Sequence, residues 1–249
     1  MIKIRKSDDV PAPLARASAP RSPEEISEEV YAHPEVKKRL YTDQRGKCAY
    51  CECRLAGDYG HVDHYRPKGA YCPAPEAAPV TPGYYWLAHD WQNLLLSCSR
   101  CNTSWKRSHF PLEREADRRM AERDISAERP LLLNPCVTPP DRHIIFREHV
   151  ALPRGGSPQG RATIALLGLN SRRQLMHERR LVWERYALEV RKLRLARAGL
   201  ETASDPAMRQ LFADLRDACE RSLRLMRSAT APYAGMLRHP NLLPGTPTR

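Results

Sequence analysis

Cys48-Ala-Tyr-Cys51 and Cys98-Ser-Arg-Cys101 set four thiols in two C-x-x-C pairs, the spacing at which two thiolates on a tight turn chelate one tetrahedral ion. Two such turns brought together make a four-thiolate zinc site, structural because it leaves no position open for substrate. Cys53 could stand in for Cys51, although the gap between Cys48 and Cys51 matches that of the second pair. The 46 residues between the pairs exceed the usual zinc-ribbon gap, so something substantial is inserted. The insert holds His61-Val-Asp63-His64-Tyr-Arg66-Pro-Lys68. Two imidazoles and a carboxylate within four residues suit hard-metal and proton-transfer chemistry. On a strand, alternation puts His61 and Asp63 on one side and His64 on the other. Tyr85-Trp86-Leu-Ala-His89-Asp90-Trp91-Gln-Asn93 then leads through three leucines into the second pair, and Asn102-Thr-Ser-Trp-Lys106 opens a helix beyond it.

The elements that must position these residues divide the chain into four stretches. Residues 1–45 read as an N-terminal arm rich in Pro, Ala, Ser and Arg, followed by short helices: one starting at Ser22-Pro23-Glu24-Glu25, with a serine cap and proline at the first turn, and one over Pro34–Gln44. Residues 46–112 hold the cysteine pairs and their insert, with a proline-rich loop over 69–83. In 113–159 a charged helix is expected over 112–130. Short strands follow at Leu131–Pro135 and His143–Phe146, joined by a turn at Thr138–Asp141. Residues 160–249 read as a basic helical region. Leu175, Val182, Tyr186, Val190 and Leu193 form one apolar stripe, and Leu211, Leu215, Cys219, Leu223 and Met226 mark a second helix. The fold class is therefore α+β and predominantly helical. Cys72, Cys136 and Cys219 have no partner spacing and read as core or loop residues.

The chain has 249 residues, a formal charge of +12 and 22 prolines. The charge points to a polyanionic partner. The N-terminus lacks the apolar core of a secretion signal, and no apolar run approaches the roughly 20 residues that cross a bilayer. Paired cysteines in such a chain favour metal over disulfides, so a reduced, cytoplasmic protein is expected.

The order Asp63-His64, Asn93-Leu, then Cys98-x-x-Cys101-Asn102, flanked by zinc cysteines, resembles the HNH endonuclease family. More narrowly, the His61–Lys68 motif, the Tyr84–Cys98 segment and Cys101-Asn102-x-x-x-Lys106-x-x-x-Phe110-Pro-Leu112 resemble the HNH proteins of bacterial anti-phage systems of the Septu and retron-associated kinds. The resemblance implies a ββα-metal core and hydrolysis of phosphodiester bonds in DNA, or in RNA. It also implies an anti-phage role beside an ABC-type ATPase. His64 would be the general base. Asp63 and Asn102 would hold Mg²⁺ or Mn²⁺ through oxygen. Asn93 would pin the catalytic loop, and His61 would orient it or join the ligands. Cys48, Cys51, Cys98 and Cys101 would hold structural zinc, and Arg66, Lys68 or Lys106 would touch phosphate.

Two other readings compete. A zinc deaminase carries H-x-E and P-C-x-x-C; here the acid is Asp63, the proline is missing and Cys48/Cys51 are unexplained. A zinc-ribbon module that binds nucleic acid without cutting it accounts for the cysteines but not for Asp63-His64.

Overall fold

The computed structural model describes residues 1–55 and 60–238. The end of the expected basic region, 239–249, lies outside the described residues, as do 56–59. The helices are α1 (Ala12–Arg16), α2 (Glu28–Tyr31), α3 (Pro34–Asp43), α4 (Pro158–Leu166), α5 (Arg173–Thr202), α6 (Pro206–Met226) and α7 (Ala234–Leu237). The strands are β1 (His61–His64), β2 (Leu94–Ser97), β3 (Ile144–Arg147) and β4 (Val150–Pro153), forming two antiparallel pairs, β1–β2 and β3–β4. Helix thus dominates over two small sheets among the described residues.

The residues expected to form an arm are fastened to the core. Ile4 and Leu14 are buried, Ile4 N–H donates to the Pro135 carbonyl at 2.9 Å, and Trp91 Nε1 donates to the Ser7 carbonyl at 3.1 Å. Apolar side chains every few residues are enough to hold a proline-rich segment down without regular structure. The Ser22–Glu25 signal yields a single 3-10 turn over Pro23–Glu25, and α2 adds four residues.

Helix α3 forms where its capping residues place it. Pro34 sits in the first turn, and His33 Nδ1 accepts from Glu35 N–H at 3.2 Å. Val36 and Leu40 face the core. The helix stops at Arg45 and Gly46, both at positive φ (57° and 69°). Just before that stop, Gln44 works as an extra strand residue: its Nε2 donates to the Leu96 carbonyl at 2.7 Å, and its Oε1 accepts from Leu96 N–H at 2.8 Å. The first cysteine turn is thereby laid along β2, whose leucines are wholly buried.

Two expectations for the middle of the chain are corrected. Residues 112–130 are not a helix; they hold one 3-10 turn, Glu115–Asp117, between irregular segments. Their charges serve as long-range partners: Glu128 is buried and accepts from Arg66 and Tyr84, which a continuous surface helix would not allow. Leu131–Pro135 is not a strand either. The partner of β3 is β4, across a turn with Glu148 at φ 54°. Asn170 widens that sheet, accepting from Ala151 N–H at 3.0 Å and donating to its carbonyl at 2.8 Å.

Helices α5 and α6 form an antiparallel hairpin, with α6 capped by Asp205 and opened by Pro206. In the α5 stripe, Leu175, Tyr186 and Val190 are buried, with Trp183 and Ala196 beside them. In α6 only Cys219 is buried; Leu211 and Leu215 remain 60% and 37% exposed. That stripe is wider than α5 alone can cover. No described helix is long and apolar enough to cross a membrane.

Gly168, between α4 and α5, ties this half to the cysteine region. Its φ is +54°, and a Cβ there would lie 2.3 Å from the Trp105 ring. Gly168→Ala should cost about 1–3 kcal/mol through backbone strain and overpacking. Thermal unfolding checks this as a drop of roughly 2–4 °C per kcal/mol; an unchanged Tm would mean that the contact is not tight.

Candidate metal centre and the Asp63–His64 site

The four cysteines of the two pairs converge. Their sulfurs all lie within 4.8 Å of one another, and Cys51 Sγ is 3.8 Å from Cys98 Sγ. An ion held by four thiolates at about 2.3 Å has sulfur–sulfur edges of ~3.8 Å, so the cluster fits a tetrahedral structural metal such as zinc. Arg172 reaches it from the start of α5, with Nη1 donating to Cys101 Sγ at 3.1 Å; the guanidinium favours the thiolate form that binds metal. Cys53 is outside the four. Its carbonyl accepts from Cys48 N–H at 3.0 Å, closing the first turn. Cys72 and Cys219 are buried and Cys136 half-buried, and all are free thiols.

The β1–β2 pairing sets the rest of the site. His61 faces Ser97, Asp63 faces Leu95 and His64 faces Leu94. Strict alternation does not describe the environment of β1: Asp63 and His64 are both buried, at 3% and 6% exposure, while His61 is exposed. The reason is that β1 is covered from both sides, by the first cysteine turn and by the turns between β1 and β2. Asp63 Oδ2 accepts from Tyr50 OH at 2.5 Å, and Oδ1 accepts from Lys106 Nζ at 2.9 Å. Lys106 Nζ also donates to the His64 carbonyl at 2.7 Å. Burial and the neighbouring carboxylate push the Tyr50 hydroxyl well above its ordinary pKa, keeping it a donor.

His64 Nε2 lies 3.0 Å from the Ala88 carbonyl. A carbonyl only accepts, so Nε2 carries the proton and the lone pair of the neutral ring is on Nδ1. Tyr31 packs edge-on against the ring, 4.6 Å between centroids. Burial, then the charge of Lys68, push the imidazole down to about 3, against the Ala88 carbonyl, so it is neutral at physiological pH. Lys68 is half-buried, its ammonium 4.9 Å from the Tyr31 ring centre.

Asn93 clamps the chain after β1 from both ends of its amide. Oδ1 accepts from Arg66 N–H at 2.8 Å, and Nδ2 donates to the carbonyls of Arg66 at 3.0 Å and Leu87 at 3.1 Å. Asp90 caps the short turn that carries it, accepting from Gln92 N–H at 2.9 Å. His89 reaches back to the N-terminal segment, its Nε2 accepting from Ser27 N–H at 3.2 Å.

The residues expected to hold a catalytic Mg²⁺ or Mn²⁺ do not fit one. Both Asp63 oxygens are hydrogen-bonded, the side chain is sealed from solvent, and the Lys106 ammonium already balances its charge. Asn102 is half-buried on the wide helical turn Arg100–Lys106. The four-cysteine group is the only cluster of three or more His, Cys, Asp or Glu ligand atoms among the described residues. The three expected phosphate contacts differ in their surroundings. Lys106 is 1% exposed, and Arg66 is held by Glu128 at 2.9 Å while lying over the Tyr65, Tyr84 and Phe110 rings. Only Lys68 keeps a partly open charge. His143, just before β3, has Nδ1 2.7 Å from Ser157 Oγ, which caps α4.

The chain is similar to Septu proteins. It is 36% identical over 197 residues to Septu protein PtuB of Bacillus mycoides (strain KBAB4), covering 78% of this chain and 65% of that protein. It is 30% identical over 166 residues to Septu protein PtuB of Bacillus thuringiensis, covering 66% and 52%. A third likeness, 30% over 126 residues, is to Septu protein PtuA of Bacillus mycoides (strain KBAB4), with 50% of this chain and 18% of that protein aligned. The chain thus spans less than two thirds of the length of these Septu proteins. No known family profile matches it, and no solved structure does.

Sequence reasoning missed Tyr50, Gln44, Ala88 and Arg172. Tyr50, inside the first C-x-x-C, was the most accessible: a tyrosine on a buried metal turn needs a partner for its hydroxyl.

Two measurements probe the site. Cys98→Ser should lower bound zinc, by elemental analysis, and lower Tm with it; retention of both would remove Cys98 from the metal site. Lys106→Met leaves the Asp63 charge buried without its partner and should cost about 3–5 kcal/mol in denaturant unfolding. Adding Asp63→Asn should recover much of that loss. A single-variant cost below about 1 kcal/mol, the range of exposed pairs, would show that the ion pair does not hold the site.

Proposed function

We propose that this protein is a nuclease of the HNH type, the effector of a bacterial anti-phage system, with zinc in its four-cysteine site and His64 as the general base. The observation that carries the reading is the fixed tautomer of His64. A neutral imidazole whose Nε2–H is held by the Ala88 carbonyl can take a proton only at Nδ1. In the proposed reaction Nδ1 receives the proton of a water as its oxygen bonds to phosphorus; the bond from phosphorus to the 3′ oxygen breaks and that oxygen takes a proton from solvent, giving 5′-phosphate and 3′-hydroxyl ends. A ring this buried is a weak base. The approach of an anionic phosphate raises its proton affinity, by the reverse of the effect Lys68 now has on it. Lys68 is the cation best situated to meet that phosphate. Since Asp63 does not fit a divalent ion, no step is assigned to one.

The likeness to Septu proteins supports the defence role; an ABC-type ATPase is the proposed partner and DNA the proposed substrate. The alternative, a zinc-knuckle module that binds nucleic acid without cutting it, is favoured by one observation, the engagement of Asp63 by Tyr50 and Lys106.

Plasmid cleavage separates the two. Purified protein, alone and with the product of the neighbouring gene, is incubated with DNA in Mg²⁺ or Mn²⁺. His64→Ala should lower the rate by at least ~10²-fold, the usual contribution of a general base, with Tm and zinc content retained. Undiminished cleavage by that variant would refute its role; no cleavage by the unmodified protein under either condition would leave the binding module.

A further inference from the structure

Beside the cysteine cluster lies a cleft of about 520 Å³, between the second cysteine turn and the start of α5. A second cleft of about 620 Å³ continues from it along α5, and the two share Arg173 and Gln174 as a common lip. Arg100 and Trp105 line the first, His177 and Arg180 the second. None of these residues belongs to the Asp63–His64 site.

The charge along this groove is one-sided. Arg100, Arg173 and Arg180 are exposed. Among the described residues Arg100 and Arg173 have no carboxylate partner, and Arg180 has only Glu184 at 3.8 Å. The acid lining the groove, Glu178, already accepts from Gln174 Nε2 at 2.7 Å and from the Tyr233 hydroxyl. Helix α5 runs 30 residues and begins on the lip with no capping side chain and no acid in its first turn, so the positive end of its dipole adds to the arginines. Like charges gathered along a concavity with few counter-ions raise the energy of the free protein, and a polyanion following the groove relieves it. Arg172 fastens the floor by its hydrogen bond to Cys101 Sγ, which gives the arginines a fixed base.

We propose that this double cleft is a binding groove for the phosphodiester backbone of a nucleic acid, with Arg100, Arg173 and Arg180 contacting successive phosphates. It deepens the proposed function by naming the surface that holds the substrate, and it rests on the nucleic-acid part of that reading but not on cleavage.

Fluorescence anisotropy of a short labelled DNA duplex, without divalent ions and in the His64→Ala background, reads binding apart from chemistry. The Arg100→Ala/Arg173→Ala/Arg180→Ala variant should bind roughly tenfold or more weakly at moderate salt. The slope of log K against log salt should fall by ~2–3, near 0.9 for each phosphate that is no longer neutralised. A control, Arg16→Ala/Arg191→Ala/Arg221→Ala, removes the same charge from exposed positions elsewhere and should stay within about twofold of the parent. Equal weakening in both variants would reduce the effect to net charge and overturn the groove. So would unchanged binding in both, or no duplex binding by the parent. Polyglutamate held as tightly through the same three arginines would overturn the nucleic-acid assignment. Groove-dependent binding with no cleavage by the unmodified protein would sustain the groove while the nuclease reading failed.

Discussion

A carboxylate with almost no access to water must be compensated, and the partners of Asp63 decide how the central region closes. Tyr50 comes from inside the first cysteine turn and Lys106 from the helical turn after the second. Asp63 therefore joins, through side chains, the same two segments that the thiolates join through sulfur. Closing a loop of this length costs several kcal/mol of chain entropy, and neither a small hairpin nor one short helical turn supplies much burial of its own. The four-cysteine cluster and the Asp63 pair share that load. Lys106 also grips the His64 carbonyl, so it fixes the backbone of the imidazole as well as the neighbouring charge.

How much of this is legible in the residues follows from how locally each feature is encoded. The two C-x-x-C turns are visible because metal chelation by adjacent thiolates depends on spacing within four residues. Helix α3 is visible through its proline start and glycine stop, and α5 through one apolar stripe. The segment 112–130 misleads because its charges look like a solvated helix face. Glu128 and Arg118 in fact serve Arg66, Tyr84 and the aromatic cluster around them, and inward-facing charges need an irregular backbone to reach partners far off in sequence. The strand partner of β3 is hidden for a related reason: a run of leucines says that a segment is buried, not what it pairs with.

The site shows the same division more sharply. Residue types capable of proton transfer and metal binding are evident in the His61–Lys68 motif. Their environments are not, since the group that changes the meaning of Asp63 lies 43 residues away. A carboxylate facing solvent is a ligand for hard cations; the same carboxylate against an ammonium and a phenol is an internal strut. Asn93 is a related case. Its amide pairs with the backbone of Arg66 on both sides, a contact whose partners the residue type alone does not name; only the family resemblance implies a clamping role for it.

His64 joins the two themes. Its ring is held by Ala88, covered by Tyr31 and kept neutral by burial. For such a ring to meet water and a phosphate, its cover must part. That cover comes from a short element: α2, which carries Tyr31, is four residues long, far below the length at which a helix is stable by itself. The strand beneath, by contrast, is held by β2, Lys106 and the thiol cluster. Tyr31 packs edge-on against the ring, on a different element from Ala88, whose carbonyl orients Nε2. In the proposed nuclease, a base on this floor beneath a short helix is an arrangement in which a partner or a substrate strand governs access while the Ala88 hydrogen bond keeps the ring oriented.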